Sequence, residues 1–196
     1  MATKKEQNQK NSASERKYKS ESKVYLHVPS FEELTYRQKL LQEAETMSYN
    51  KGYERNIEGY DIETGCIDFS ESKWQKWYDH FIGQEPKRFY AYITRSDNDE
   101  FIGEVNVREV PGKPWYEMGI VVTASERGKG YAKDALKLLL EVAFEKLQAD
   151  SVHNFFEDER ESAIALHLNC GFSVLSHEEP IIELLITKEE YEQLKH

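Results

Sequence analysis

From Arg127 to Gly130 the chain reads Arg-Gly-Lys-Gly, separated from the apolar run Ile120-Val121-Val122 by the short turn Thr123-Ala-Ser-Glu126 and followed by a helical pattern that extends to about Leu147. A strand that ends in a glycine turn and opens a helix leaves backbone N–H groups without partners. The helix dipole strengthens their preference for an anion. Gly128 and Gly130 carry no Cβ, so backbone can approach a phosphate closely there. Arg127 and Lys129 add positive charge beside it. Pyrophosphate is the ligand this arrangement predicts. A nucleotide P-loop is excluded because Gly130 is followed by Tyr131, with no Gly-Lys-Ser/Thr. A dinucleotide fingerprint is excluded because the third glycine is missing.

The elements that must position this turn follow from the patterning. Val24–Val28 reads as a first strand, and Ser30-Phe-Glu-Glu33 as a capping box starting a helix to about Glu43. A long Tyr-, Gly- and Asn-rich connection, including Tyr49 to Phe69, leads to a second helix over about Glu71 to Phe81. Phe89–Thr94 and Phe101–Val107 flank the turn Ser96-Asp-Asn-Asp99 as a hairpin, and Trp115–Val122 is the next strand. After the glycine-turn helix come a strand at Ser151–Phe156, a helix to about Asn169, and a closing hairpin of Phe172–Leu175 with Ile181–Thr187. Thr187-Lys-Glu-Glu190 can cap a short terminal helix. Residues 1–23 are polar and predicted to be disordered, leaving one α/β (α+β) domain over residues 24–196.

Two motifs in this order resemble the GNAT superfamily of N-acetyltransferases. Arg-Gly-Lys-Gly-Tyr-Ala, Arg127 to Ala132, is similar to its acetyl-CoA signature, and Ala163 to Phe172, ending in Gly171-Phe172, is similar to its second signature. The resemblance covers roughly Phe89 to Phe172. It implies a single mixed, mostly antiparallel sheet of about seven strands with helices on both faces, acetyl-CoA as co-substrate, and an acyltransferase acting on a primary amine by direct attack in a ternary complex. It also implies that pantetheine lies along Ile120, Val121 and Val122, and that Arg127, Gly128, Lys129, Gly130, Tyr131 and Ala132 hold the pyrophosphate. A non-catalytic acyl-CoA-binding module would use the same cradle.

Amine acetylation needs a base for the ammonium, polarisation of the carbonyl and a proton for the departing thiolate. By resemblance Glu117 stands at the strand glutamate that many relatives use as a base; Glu104, on the preceding strand, is the second candidate. His167 occupies the position where many relatives place a tyrosine facing the CoA sulfur, and imidazole donates protons near neutral pH more readily than phenol. Arg160 replaces the family's usual asparagine and retains reach to a phosphate. Asn154 interrupts an apolar strand, so its amide faces a polar partner. Tyr49 to Phe69, with Trp74, Trp77 and Trp115, are candidate walls for the acceptor, although aromatic stripes more often pack as core. Asp61, Glu63 and Asp68 are candidate contacts for a cationic acceptor. Cys170 has no identifiable base beside it and reads as a packed residue.

The formal net charge is −10, and the first 23 residues are basic, so the body is more acidic still. That balance disfavours nucleic acid and suits a small-molecule or peptide amine. No apolar run spans a bilayer, Cys66 and Cys170 have no metal-type spacing, and no metal is expected. A cytoplasmic location fits, and a homodimer is compatible with all of this.

Overall fold

The computed structural model describes residues 22–195, so the polar tail lies outside the described residues except for Ser22 and Lys23. Seven strands form one sheet: β1 (Val24–His27), β2 (Arg88–Arg95), β3 (Phe101–Glu109), β4 (Tyr116–Val122), β5 (Ser151–Glu157), β6 (Ser173–Glu178) and β7 (Ile181–Thr187). Their spatial order is β1-β2-β3-β4-β5-β7-β6. Every neighbouring pair is antiparallel except β4 with β5. The helices are α1 (Leu34–Gln42), α2 (Ala44–Met47), α3 (Glu71–Phe81), α4 (Tyr131–Glu141), α5 (Glu161–Leu168) and α6 (Lys188–Gln193).

Side-chain alternation divides the sheet into two faces. Val105, Val107, Met118, Val122, Val152, Ile182, Leu184 and Ile186 belong to one core, shared with Ala135, Leu136, Leu139 and Leu140 of α4. Each fully buried leucine contributes about 2 kcal/mol. On the opposite face Leu34, Leu41, Met47, Phe69 and Trp74 form a second cluster. Helices on both faces explain why six consecutive residues of β2, Phe89 to Arg95's neighbour Thr94, are buried without alternation.

Local departures from expectation have local causes. α1 begins at Leu34, after a turn in which Leu34 N–H donates to the Phe31 carbonyl at 3.2 Å. Of the expected capping box only the Glu33 half is present, its carboxylate accepting from Ser30 N–H and contacting His27 Nε2, each at 2.8 Å. The long helix expected to reach Leu147 ends as α-helix at Glu141 and continues as one π-type turn over Val142–Lys146. At the chain's end Thr187 and Glu190 form the expected capping box.

Candidate active site

β4 and β5 are paired only at Tyr116↔Val152 and Glu117↔His153. Beyond that rung they part, while β4 stays paired to β3 as far as Val122. The β5-facing edge from Met118 to Val122 therefore presents backbone donors and acceptors without a strand partner. An extended chain bearing amides can complete such an edge.

The glycine turn lies at the end of this edge. Gly128 and Gly130 have φ of +76° and +88°, in the left-handed region where a side chain is strained, and Gly130 is the N-cap of α4. No atom lies within 4 Å of where a Cβ on Gly128 would stand. The turn therefore combines an open approach with the N-terminus of an eleven-residue helix. These features fit a pyrophosphate.

The arginines behave differently from the expectation that they supply charge to a phosphate. Arg127 donates from Nε to the Val122 carbonyl at 3.1 Å and from Nη2 to the Thr46 carbonyl at 2.6 Å, so it ties the end of β4 to α2. Thr46 Oγ1 also accepts from Ala124 N–H at 2.8 Å. Arg160 pairs with buried Glu157 and donates to the Tyr49 carbonyl at 2.8 Å. It braces the long connection against β5. Lys129 contacts Glu126 at 2.8 Å and is half exposed. A cation that sequence patterning did not single out stands beside it: Lys23 Nζ donates to the Lys129 carbonyl at 3.1 Å. Tyr131 and Ala132 pack partly buried against the α4-side core.

His167 is 1% exposed. Its Nδ1 lies 2.8 Å from the Ala163 carbonyl and must carry hydrogen; its Nε2, 2.9 Å from Asn154 Nδ2, accepts. Burial lowers its pKa, only partly offset by the Ala163 carbonyl. The expected proton donor thus has both nitrogens engaged and its charged form disfavoured, as in a packed structural histidine. The same bond supplies the polar partner sought for Asn154, and that partner is protein.

Glu104, Asn106 and Arg108 of β3 share a face with Glu117, Gly119 and Val121 of β4, through the pairs Glu104↔Val121, Asn106↔Gly119 and Arg108↔Glu117. A Cβ on Gly119 would meet Asn106 Nδ2 at 2.7 Å, so the Asn106 side chain would have to move aside. Glu117 accepts from Arg108 Nη2 at 2.5 Å and remains partly exposed. Glu104 is buried, bonded to the Tyr90 hydroxyl and paired with Arg37 at 3.4 Å. The Arg37 guanidinium lies 4.7 Å from the Phe69 ring centroid and 4.6 Å from that of Trp77. Glu104 is therefore locked into a charged and aromatic core cluster. Trp74 and Trp77 pack in the same region as core.

On β5 this face carries His153, Phe155 and Glu157. His153 contacts Glu183 of β7 through Nε2 at 3.0 Å, and Trp115 stacks on it with centroids 4.8 Å apart. Phe155 is 46% exposed and lines a cavity with Ser176, Glu178, Glu179, Pro180 and Glu183. The acidic residues expected to contact an acceptor are used locally: Asp68 pairs with Lys73 at 3.0 Å, and Asp61 accepts from Thr64 and from Glu63 N–H. Only Glu63's own carboxylate is outside this set of contacts. Burial raises the Cys170 thiol pKa, in keeping with a packed residue. Among the described residues, no group of three or more His, Cys, Asp or Glu side chains could hold a metal ion. No described helix is long and apolar enough to cross a membrane.

Residues 29–173 match the family model described as "Acetyltransferase (GNAT) domain". No curated protein matches the chain. Among solved structures, mutant forms of a spermidine/spermine N-acetyltransferase from Vibrio cholerae superpose with a TM-score of 0.68 at 19% identity, covering 89% of this chain and 99% of that one. The Vibrio cholerae spermidine N-acetyltransferase in complex with CoA and spermine gives 0.67 at 19% identity, covering 86% and 98%. A GNAT-family acetyltransferase from Bacillus anthracis gives 0.65 at 13% identity, covering 86% and 96%.

Proposed function

Because this chain belongs to the GNAT acetyltransferase family, we propose that it transfers the acetyl group of acetyl-CoA to a primary amine of a small cationic acceptor, in the cytoplasm and by direct attack in a ternary complex. The observation that carries this reading is the parting of β4 from β5 after Glu117↔His153, with a left-handed glycine turn at the far end of the free edge. Acetyl-CoA supplies an activated thioester carbonyl there. The backbone of Ile120, Val121 and Val122 holds its extended arm, and the backbone of Arg127 to Ala132, with Lys129 and Lys23, meets its pyrophosphate. Arg127 and Arg160 act one step removed, by fixing the elements that carry the cradle.

A cationic acceptor is supported by the surface beside the free edge. Phe155 offers an exposed aromatic face, and Glu178, Glu179 and Glu183 surround the cavity it lines. Carboxylates and an aromatic face together favour an alkylammonium. The structural neighbours include enzymes named for spermidine and spermine. Glu117, held by Arg108, presents negative charge at the point of divergence, where the reacting ammonium arrives. Edge strand β6 exposes Val174 and Leu175, the surface through which a second copy would pair.

The decisive experiment measures free thiol released from acetyl-CoA with a panel of diamines, polyamines, aminoglycosides, and peptides bearing a free N-terminus or lysine. Turnover is expected with the small polycations, declining as salt screens the acidic surface. Intact acetyl-CoA binding with no thiol release from any amine would overturn the reading and leave a non-catalytic acyl-CoA-binding module.

A further inference from the structure

We propose that His153, oriented by Glu183, is the base that removes the proton from the acceptor ammonium. The inference rests on the acetyl-transfer reading above and assigns it a residue that neither signature motif contains. His153 stands on the last paired rung before β4 and β5 part, opposite Glu117 and on the same face. It is 4% exposed. Its Nε2 lies 3.0 Å from Glu183 Oε2, and a carboxylate can only accept, so the neutral ring carries its hydrogen on Nε2. That leaves the lone pair on Nδ1, a buried atom with no hydrogen-bond partner. A buried acceptor without a partner is costly unless a ligand satisfies it. Trp115 and Phe155 stack against the ring with interplanar angles of 28° and 29°, fixing its plane.

The other candidates are already tied to protein partners. His167 accepts from Asn154, Glu117 accepts from Arg108, and Glu104 is held by Tyr90 and Arg37. His153 combines a tautomer set by a carboxylate, a free lone pair and a place where the cofactor edge begins. A carboxylate behind a histidine also stabilises the imidazolium once it forms. The proton balance follows. One ammonium proton passes to Nδ1, and the neutral amine attacks the thioester carbonyl. The C–N bond forms, the C–S bond breaks, and the second amine proton leaves with the CoA sulfur as thiol. The imidazolium then gives up the same Nδ1 proton to water after product leaves, which restores the neutral ring with its Nε2 hydrogen still on Glu183.

The charges nearest this ring are Glu183 from β7 and, across the last β4–β5 rung, Glu117 with its partner Arg108 of β3. Glu178 and Glu179 line the cavity of the stacked Phe155, and Lys113 Nζ lies 5.0 Å from the Trp115 centroid. The test compares wild type with His153→Gln and Glu183→Gln over pH 6 to 10. His153→Gln is expected to lower kcat about 100-fold at neutral pH, within the usual range for a lost general base. The deficit should shrink at high pH, where the amine deprotonates unaided. Acetyl-CoA affinity and acceptor KM should stay within about twofold, because the group acts in the transition state. Glu183→Gln should cost less, about 10-fold.

Wild-type kcat and pH profile for a folded His153→Gln would overturn the proposal. Ring nitrogen NMR on the wild-type protein with CoA bound supplies a second readout independent of turnover. Hydrogen on Nε2 and a bare Nδ1, shifted on addition of spermidine, are expected; hydrogen on Nδ1 would overturn the assignment. If wild type releases no thiol with any amine, the acetyl-transfer reading fails instead, and the NMR still reports the dyad separately.

Discussion

His167 shows how one side chain's surroundings decide between chemistry and architecture. Its place in the second signature motif made it a candidate acid by resemblance, but its ring lies in the core with a carbonyl on one nitrogen and an amide on the other. His167→Ala should therefore leave turnover per folded molecule near wild type. It should cost about 3 kcal/mol of stability, from the cavity and the abandoned Asn154 amide. Urea denaturation with parallel kinetics checks both halves. Burial depresses the folded-state pKa, so the unfolded chain binds the proton first as pH falls. The stability tied to this residue is complete above the unfolded value of about 6.5 and declines towards the lower folded value. His167→Ala should flatten that acid-side decline in melting temperature; an unchanged slope would mean that other groups produce it.

At the scale of elements, α1 is fastened to the sheet by Arg37, which meets Glu104 of β3 beneath Phe69, Trp77 and Tyr90. Removing one member of a buried ion pair leaves the other charge uncompensated, at roughly 3–5 kcal/mol. Arg37→Met should lower the melting temperature by roughly 10 °C, given a shift of 2–4 °C per kcal/mol for a domain of this size. Adding Glu104→Gln should recover part of the loss. Calorimetry of both variants tests the coupling, and equal melting temperatures for wild type and Arg37→Met would refute it. None of this fastening is visible in a helical pattern that shows Arg37 only as a polar position. The succession of elements along the chain, the glycine turn and the terminal capping box were legible because each depends on residues close in sequence. The His153–Glu183 pair was not, because residues 30 apart meet only once β5 and β7 are in register. The same is true of Lys23 beside Lys129. Arg127 and Arg160 were recognisable as cations, but the carbonyls that capture them come from α2 and the long connection that follows it.

For the whole molecule, the parted strands leave the β5-facing edge of β4 without a strand partner over the five residues from Met118 to Val122. A ligand that binds this edge only in the folded chain adds RT ln(1 + [L]/Kd) to stability, about 2.7 kcal/mol at one hundred times Kd. Saturating acetyl-CoA should therefore raise the melting temperature by roughly 5–10 °C. Adenosine diphosphate, which lacks the arm, should raise it much less. Equal shifts from the two would place the binding energy at the glycine turn alone. In the expected case, how long the protein survives becomes a readout of metabolic supply. When acetyl-CoA is scarce the catalyst opens more often to proteolysis, and its abundance declines with the fuel it spends.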